Sequence, residues 1–167
     1  MIWRPDFPYI EAKTAYLNGY ERRFWQGSHD HRGTPENPGR VVTLTPAEDA
    51  RCIGTAYLIE ADVVTETFEH LDYREKNGYE RLEVHLEFED DSTSPALVYV
   101  AQAGNFAYAG ETPLPELAEI IARSHGPSGA NKDYLFELAS VLRRFGVDEP
   151  HVFELEKIVR TLVARRA

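Results

Sequence analysis

The most regular pattern of apolar and polar positions lies in the middle of the chain, between Glu80 and Glu89. Apolar residues at Leu82, Val84 and Leu86 alternate there with charged residues or histidine. Successive side chains of a strand point to opposite faces of a sheet. The alternation therefore predicts a strand with one face in the core and the other in water.

Four further segments have the composition of strands. They are Ala15–Gln26, Arg40–Leu44, Cys52–Ile59 and Ala96–Ala101. The second and third are separated by the sequence Thr-Pro-Ala-Glu-Asp, which predicts a turn. The fourth is continuously apolar, and a run of this length is typical of a central strand that is buried on both faces.

Helical spacing appears first after Asp62. Val64, Phe68 and Leu71 recur there at intervals of four and three residues. This spacing places the three side chains on one face of a helix, because residues three and four apart are neighbours on a helix surface. Asp62 is predicted to cap this helix at its first turn.

Three longer helices are predicted in the last third of the chain, at Leu114–Ser124, Asn131–Phe145 and Pro150–Arg165, from apolar spacing and from proline and glycine at their ends. Strands therefore precede helices. This order favours an α+β fold with an antiparallel or mixed sheet, curled towards a barrel, and with helices on one side. The length and the lack of a long linker predict a single domain over residues 1–167.

Composition and charge make some classes of binding partner unfavourable. The chain has 28 acidic and 18 basic residues and a net charge of −10, which opposes binding to the phosphates of nucleic acid. No apolar run approaches the roughly 18 residues of a membrane-spanning helix, so no membrane partner is expected. A single cysteine, Cys52, and the absence of a signal-peptide pattern favour the cytoplasm. The sequence gives no indication of oligomeric state.

The segment Leu71–Tyr79 contains the strongest candidate for an acid or base, Glu75. It lies between a predicted helix and the alternating strand, and the Asn-Gly pair after it predicts a turn. Two interpretations stay open from the residues alone. The segment is either a charged surface loop, or Tyr73 and Tyr79 partly shield Glu75 from water, an environment that suits a carboxyl group for proton transfer.

Two other features have weaker chemical interpretations. His29, Asp30 and His31 lie close together in sequence, but alternate residues of an extended chain diverge and no second ligand pair follows at helical spacing. A polar loop is therefore favoured over a metal site. Cys52 lies in an apolar segment without a neighbouring cation or histidine, which favours a buried, unreactive thiol over a nucleophile.

The turn Gly126–Asn131 precedes a predicted helix and also has two interpretations. It is a helix start capped by Ser128 or Asn131, or a turn whose backbone N–H groups face an anion. The lysine and hydroxyl spacing of a P-loop is absent, and the capped helix start is favoured.

Six stretches of the chain carry a recognisable pattern. They are Tyr20–Ser28, Asp30–Pro35, Pro38–Leu44, Gly54–Tyr57, Tyr73–Tyr79 and Gly126–Phe136. In this order they resemble the ChaC family of glutathione-specific gamma-glutamylcyclotransferases, and together they extend over nearly the whole chain.

The resemblance implies a gamma-glutamylcyclotransferase-like fold, a compact mixed β-barrel with flanking helices. It implies a cytosolic lyase that cyclises the gamma-glutamyl group of glutathione, giving 5-oxoproline and Cys-Gly without a cofactor or a metal. The glutamate of the family's Arg-Glu-Lys motif is the general acid/base, which corresponds to Glu75. In the wider superfamily a tyrosine near the start of a late helix helps to hold the substrate, and Tyr134 matches that place.

The resemblance also bears on the start of the chain. Family members begin with a short strand ending in Tyr-Gly-Ser-Leu, and this loop presents backbone N–H groups to the gamma-glutamyl group. Met1 stands here in the place of the leucine, so the first strand and most of the loop are expected to be missing, with Ile2 and Trp3 remaining as substrate-binding residues. This expectation leaves an alternative function, a non-catalytic protein that binds gamma-glutamyl compounds or regulates a partner.

Overall fold

The structure, a computed structural model, describes residues 5–166. The elements of this part of the chain are, in order, β1 (Glu11–Ser28), β2 (Gly39–Leu58), α1 (Val64–Arg74), β3 (Tyr79–Phe88), β4 (Thr93–Ala101), α2 (Leu114–Arg123), β5 (His125–Gly126), β6 (Gly129–Ala130), α3 (Asn131–Arg144) and α4 (Pro150–Ala164). Long strands come mainly before helices, and the predicted α+β class is confirmed.

The long strands form one sheet with the order β2-β1-β3-β4. β1 and β3 are antiparallel, with Ala15 opposite Phe88. β3 and β4 are antiparallel along their length, with Tyr79 opposite Ala101 at one end. Within residues 5–166 no pairing between β2 and β4 closes this sheet, so the structure has an open sheet where the sequence led us to expect a barrel.

The alternating segment forms β3 as predicted, but the structure of β2 differs from the prediction. β2 is one continuous strand, so the turn predicted at Thr-Pro-Ala-Glu-Asp is wrong. The proline of that sequence, Pro46, is exposed, and β2 lies at one edge of the sheet that residues 5–166 form. An edge strand tolerates proline because it has an outer side on which no backbone N–H has to pair.

The apolar run in β4 was predicted to be a central strand, and this is wrong. β4 pairs with β3 and lies at the other edge of the described sheet. Its burial alternates over most of its length, and Leu97 is 42% exposed, whereas Val100 and Ala101 are buried. A run of apolar residues predicts a strand but does not determine how many neighbours it has.

The first helix begins without the predicted cap. Val63, not Asp62, is the N-cap residue of α1, and no side chain bonds to the backbone there. The packing face is as predicted at Leu71, which is buried, and it also includes Thr67. The three later helices end within one residue of their predicted bounds.

The chain divides into two compact units. One contains residues 5–21 and Leu44–Gln102, with α1, β3 and β4, and the other contains Arg22–Thr43 and residues 103–166, with α2, α3 and α4. β1 and β2 contribute residues to both units. The single domain expected from the sequence stays a prediction.

In the second unit α2, α3 and α4 pack against one another. Their contact is built from side chains that are at most 1% exposed: Leu117, Ile121, Leu135, Leu138, Leu142, Val152, Leu155 and Val159. Full burial of such a side chain contributes roughly 1.5–3 kcal/mol. No helix formed by residues 5–166 has the length and hydropathy that a bilayer crossing demands.

Candidate active site

Glu75 is the first residue after helix α1. Its backbone N–H donates to the carbonyl oxygen of Leu71 at 2.8 Å, and its carbonyl oxygen accepts from the N–H of Tyr79 at 3.3 Å. Gly78, with a φ of 94°, gives the connection to β3 a conformation that other residues rarely adopt. The predicted position of Glu75 at the boundary between a helix and a strand is confirmed.

The partner of the Glu75 side chain is its neighbour Arg74. The Nε and Nη2 atoms of Arg74 both donate to Oε1 of Glu75, at 2.8 Å and 2.7 Å. In the part of the chain that the structure describes, no other group bonds to this carboxylate, so Oε2 has no partner there. The Glu75 side chain is 23% exposed. The carboxylate is thus half-buried and held through one of its two oxygens.

Tyr73 does not shield Glu75 in the way that the sequence suggested. Tyr73 is 72% exposed, and the ammonium group of Lys76 lies 4.2 Å from the centre of its ring. The ion pair with Arg74, rather than an aromatic wall from Tyr73, therefore defines the surroundings of Glu75.

A second carboxylate, Asp6, holds the other end of the Arg74 guanidinium group. Its Oδ1 accepts from Nη1 of Arg74, and its Oδ2 lies 3.2 Å from Nε2 of His70. Burial favours the protonated form of Asp6, but the bonds from Arg74 and His70 outweigh it and lower the pKa of this carboxyl group. Burial likewise disfavours the charged form of Arg74, yet the two carboxylates raise the pKa of the guanidinium. Arg74 is therefore held as a cation between Asp6 and Glu75.

A tyrosine hydroxyl lies in the electrostatic field of the same cluster. The Tyr99 hydroxyl donates to Oδ1 of Asp72 at 2.6 Å, and Nε of Arg81 lies 3.3 Å from the same oxygen. Burial, then the bond to Asp72 and its charge, raise the pKa of Tyr99, and the charge of Glu75 adds to this effect. Tyr99 is therefore a neutral hydroxyl at physiological pH.

Tyr134 lies in the first turn of α3, in the second unit. Its ring packs edge-on against Phe24, with centres 5.9 Å apart, and the guanidinium of Arg32 lies 5.6 Å from the ring centre. The backbone N–H of Val42 donates to its hydroxyl at 3.5 Å, a long and weak bond. Glu75 belongs to the first unit. Ile2 and Trp3, the other predicted substrate-binding residues, lie outside the described residues.

The histidine-rich loop follows β1. His31 Nδ1 lies 3.1 Å from the Ser128 hydroxyl, and its Nε2 lies 3.7 Å from the carboxylate of Asp30. Between residues 5 and 166 no group of three or more histidine, cysteine or acidic side chains is arranged to hold a metal ion. Cys52 is buried and unbridged, as predicted.

The turn before α3 approaches the histidine-rich loop closely. A Cβ atom at Gly126 would lie 2.4 Å from the carbonyl oxygen of His31, so only glycine fits. The backbone N–H of Ser128 donates to that same oxygen at 2.9 Å. The glycine of this motif is therefore explained by backbone contact.

The predicted helix cap in this turn is wrong. Ala130 is the N-cap residue of α3, and no side chain bonds to the helix start. Asn131 is instead the first helical residue, and its backbone N–H donates to the carbonyl oxygen of Ser124 at 2.9 Å. That N–H and the N–H of Ser128 are thus used within the fold rather than directed at an anion.

Sequence reasoning missed Asp6 and treated Arg74 only as one of several charges. Asp6 is 68 residues from Arg74 in sequence, and no local pattern links the two. The adjacency of Arg74 and Glu75 was the only available signal, and adjacent helical residues do not usually face each other. The pairing is possible here because Glu75 is already outside the helix.

Comparison with known proteins gives three concordant findings. A family model described as ChaC-like protein matches residues 1–162. The chain is 40% identical over 174 residues to Gamma-glutamylcyclotransferase 2-3 of Arabidopsis thaliana, which covers 98% of this chain and 86% of that protein. It is 39% identical over 163 residues to Glutathione-specific gamma-glutamylcyclotransferase 1 of Danio rerio, with 93% and 83% covered.

A solved structure agrees with these relatives. The crystal structure of a selenomethionine-labelled gamma-glutamyl cyclotransferase specific to glutathione from yeast matches with a TM-score of 0.90 and 30% identity, over 96% of this chain and 92% of that one. The cyclotransferase-like fold predicted from the resemblance is therefore confirmed. The chain therefore belongs to the ChaC-like protein family.

Proposed function

We propose that this protein is a glutathione-specific gamma-glutamylcyclotransferase, a lyase that converts glutathione into 5-oxoproline and Cys-Gly. The observation that carries the proposal is similarity over more than nine-tenths of the chain to proteins that bear this name. The placement of Glu75 adds support, because its carboxylate is held through one oxygen while the other has no partner within residues 5–166.

The reaction is intramolecular and balances without water or a cofactor. The alpha-amine of the gamma-glutamyl residue attacks the gamma-carbonyl carbon, a carbon–nitrogen bond forms in a five-membered ring, and the bond to the cysteinyl nitrogen breaks. The alpha-ammonium nitrogen loses two protons as it becomes the ring N–H, and the departing nitrogen gains two as it becomes the ammonium group of Cys-Gly. The amine and the carbonyl already belong to one molecule, so the protein chiefly has to hold the substrate in the folded conformer with the two reacting atoms aligned.

Glu75 is proposed to transfer these protons, one at a time. As a carboxylate it accepts a proton of the alpha-ammonium group and frees the amine, and as a carboxylic acid it returns the proton to the leaving nitrogen. A positioned acid or base of this kind contributes roughly 10²- to 10⁴-fold in rate. Ile2, Trp3 and Tyr134 are proposed to bind the substrate, as in the family that the chain resembles. The cytoplasm, where glutathione is abundant and thiols stay reduced, is the proposed location.

The test is to incubate the purified chain with glutathione and to quantify 5-oxoproline and Cys-Gly over time. The proposal predicts equal amounts of the two products and no detectable glutamate. A parallel reaction with gamma-glutamyl-alanine measures specificity, and a strong preference for glutathione is expected. Binding of glutathione by calorimetry without formation of either product would contradict the proposed function.

A further inference from the structure

We infer that Arg74 is a positioning residue for Glu75, and that Asp6 in turn fixes Arg74. This inference rests on the proposed function of Glu75 as the acid/base. The guanidinium group directs two donors, Nε and Nη2, at Oε1 of Glu75 and its third nitrogen, Nη1, at Asp6. All three nitrogens of Arg74 are thus engaged by two carboxylates, which restricts both its plane and the orientation of the Glu75 carboxylate.

The two carboxylate oxygens of Glu75 have different surroundings and are inferred to have different roles. Oε1 accepts both bonds from Arg74, whereas Oε2 has no partner in residues 5–166. A proton acceptor needs one oxygen directed at the substrate ammonium group within hydrogen-bond reach. Arg74 therefore acts through Glu75: it fixes the oxygen that does not react and leaves the other for the substrate.

Burial makes this positioning effective. The side chains of Arg74 and Glu75 are 18% and 23% exposed, so competition from water for their contact is reduced. The Asp6 side chain is 44% exposed and also contacts His70. Asp6 holds Nη1 from the side opposite Glu75, which keeps the guanidinium from rotating away.

A lysine at this position would keep the charge but lose the geometry. An ammonium group is a point charge, whereas a guanidinium group presents a rigid, planar set of donors. Lysine is therefore not able to reproduce the two bonds that converge on Oε1 together with the bond to Asp6. Replacing Arg74 with lysine therefore distinguishes a positioning role of Arg74 from a role that needs only its positive charge.

The experiment measures kcat and KM for glutathione in Arg74→Lys and Asp6→Asn, alongside thermal unfolding. Arg74→Lys is expected to lower kcat about 10- to 100-fold, as for a small misplacement of a catalytic group, while KM stays within about twofold. Asp6→Asn is expected to lower kcat less, about 3- to 10-fold, because Arg74 keeps its bonds to Glu75. The matched control is Arg51→Lys, which changes an arginine paired with Glu87 elsewhere in the same unit and should keep wild-type kcat.

A second measurement separates positioning from structural support. In a Glu75→Gln background, Arg74→Lys should cause no further loss of residual turnover, since residues that act as a unit are not additive. Wild-type kcat in Arg74→Lys, or a rise in KM alone, would overturn the inference. If Arg74→Lys does not fold, Asp6→Asn decides, and an unchanged kcat in that variant counts against the inference. Failure of the wild-type chain to release 5-oxoproline would instead refute the proposed function itself.

Discussion

The side-chain amide of Asn131 pairs with the backbone of Arg40 in both directions. Its Oδ1 accepts from the N–H of Arg40 at 2.7 Å, and its Nδ2 donates to the carbonyl oxygen of Arg40 at 2.8 Å. Asn131 is fully buried, and Gly39 beside it has no room for a Cβ, which would lie 2.7 Å from Oδ1. The first residue of α3 is thereby joined to the start of β2 within one unit.

We expect Asn131→Ala to lower the free energy of unfolding by about 2–4 kcal/mol, because it leaves the N–H and the carbonyl of Arg40 without partners in a buried site. Asn131→Asp should also destabilise, since a second oxygen would replace the donor that faces the carbonyl. Urea unfolding measures both effects. The exposed Asn37→Ala is the control and should stay within about 0.5 kcal/mol of wild type. A similarly small effect for Asn131→Ala would show that the pairing contributes little.

Glu75→Gln should lower kcat by at least about 100-fold, because the amide keeps the shape of the side chain but does not accept the proton of the alpha-ammonium group. The fold should persist, since Glu75 terminates α1 through its backbone rather than its side chain. Release of 5-oxoproline and thermal unfolding are the two measurements. Wild-type turnover in this variant would remove Glu75 from the proposed mechanism.

Tyr134→Phe tests the second proposed site residue. The phenylalanine ring retains the contacts with Phe24 and Arg32, so stability should change little. If the hydroxyl bonds to glutathione, KM should rise about 2- to 10-fold, which corresponds to one neutral hydrogen bond of about 0.5–1.5 kcal/mol. The exposed Tyr73→Phe serves as the control. Equal KM values in both variants would show that the hydroxyl of Tyr134 does not bind substrate.

His151 should make stability depend on pH. Its Nε2 accepts from the backbone N–H of Phe24 at 3.2 Å, which requires the neutral ring. Burial, and then the charge of Arg23, lower the pKa of His151 from 6.5 to about 4. The unfolded chain therefore takes up a proton at a higher pH than the folded one. The stabilising contribution is complete above about pH 6.5 and is lost as the pH falls towards 4.

The measurement compares wild type with His151→Gln, whose side-chain oxygen still accepts from Phe24. Burial also raises the pKa of Glu149 despite the opposing charge of Arg22, so only the difference between the two proteins isolates His151. Between pH 6.5 and 4 wild type should lose about 1–3 kcal/mol more than the variant, a range that allows for partial solvent screening. Parallel pH profiles would contradict the assignment.

The elements that the sequence predicted well are those encoded by neighbours. The alternation in β3 and the helical spacing in α2, α3 and α4 are patterns among residues only one to four positions apart. Glu75 was found for the same reason, because its position between a helix and a strand can be read from the adjoining patterns. Its role in catalysis stays a prediction.

The features that sequence reasoning missed depend on partners far along the chain. A proline in β2 indicated a turn until the sheet order placed that strand at an edge. The apolar run in β4 was compatible with one neighbour or two, and Asn131 was compatible with a helix cap or with a bond to a distant strand. In each case the residues nearby in sequence were compatible with both structures. Contacts with residues far along the chain decided between the two.

The sequence by itself therefore determined the class of fold, the family pattern and the position of one carboxylate at an element boundary. Only the tertiary structure decided that Arg74 would hold one oxygen of Glu75 and that Asp6, 68 residues away from Arg74, would hold Arg74. The physical reason is that an ion pair forms where folding brings charges together in a half-buried place. These ion pairs depend on contacts between residues far apart in sequence, and no short motif encodes them.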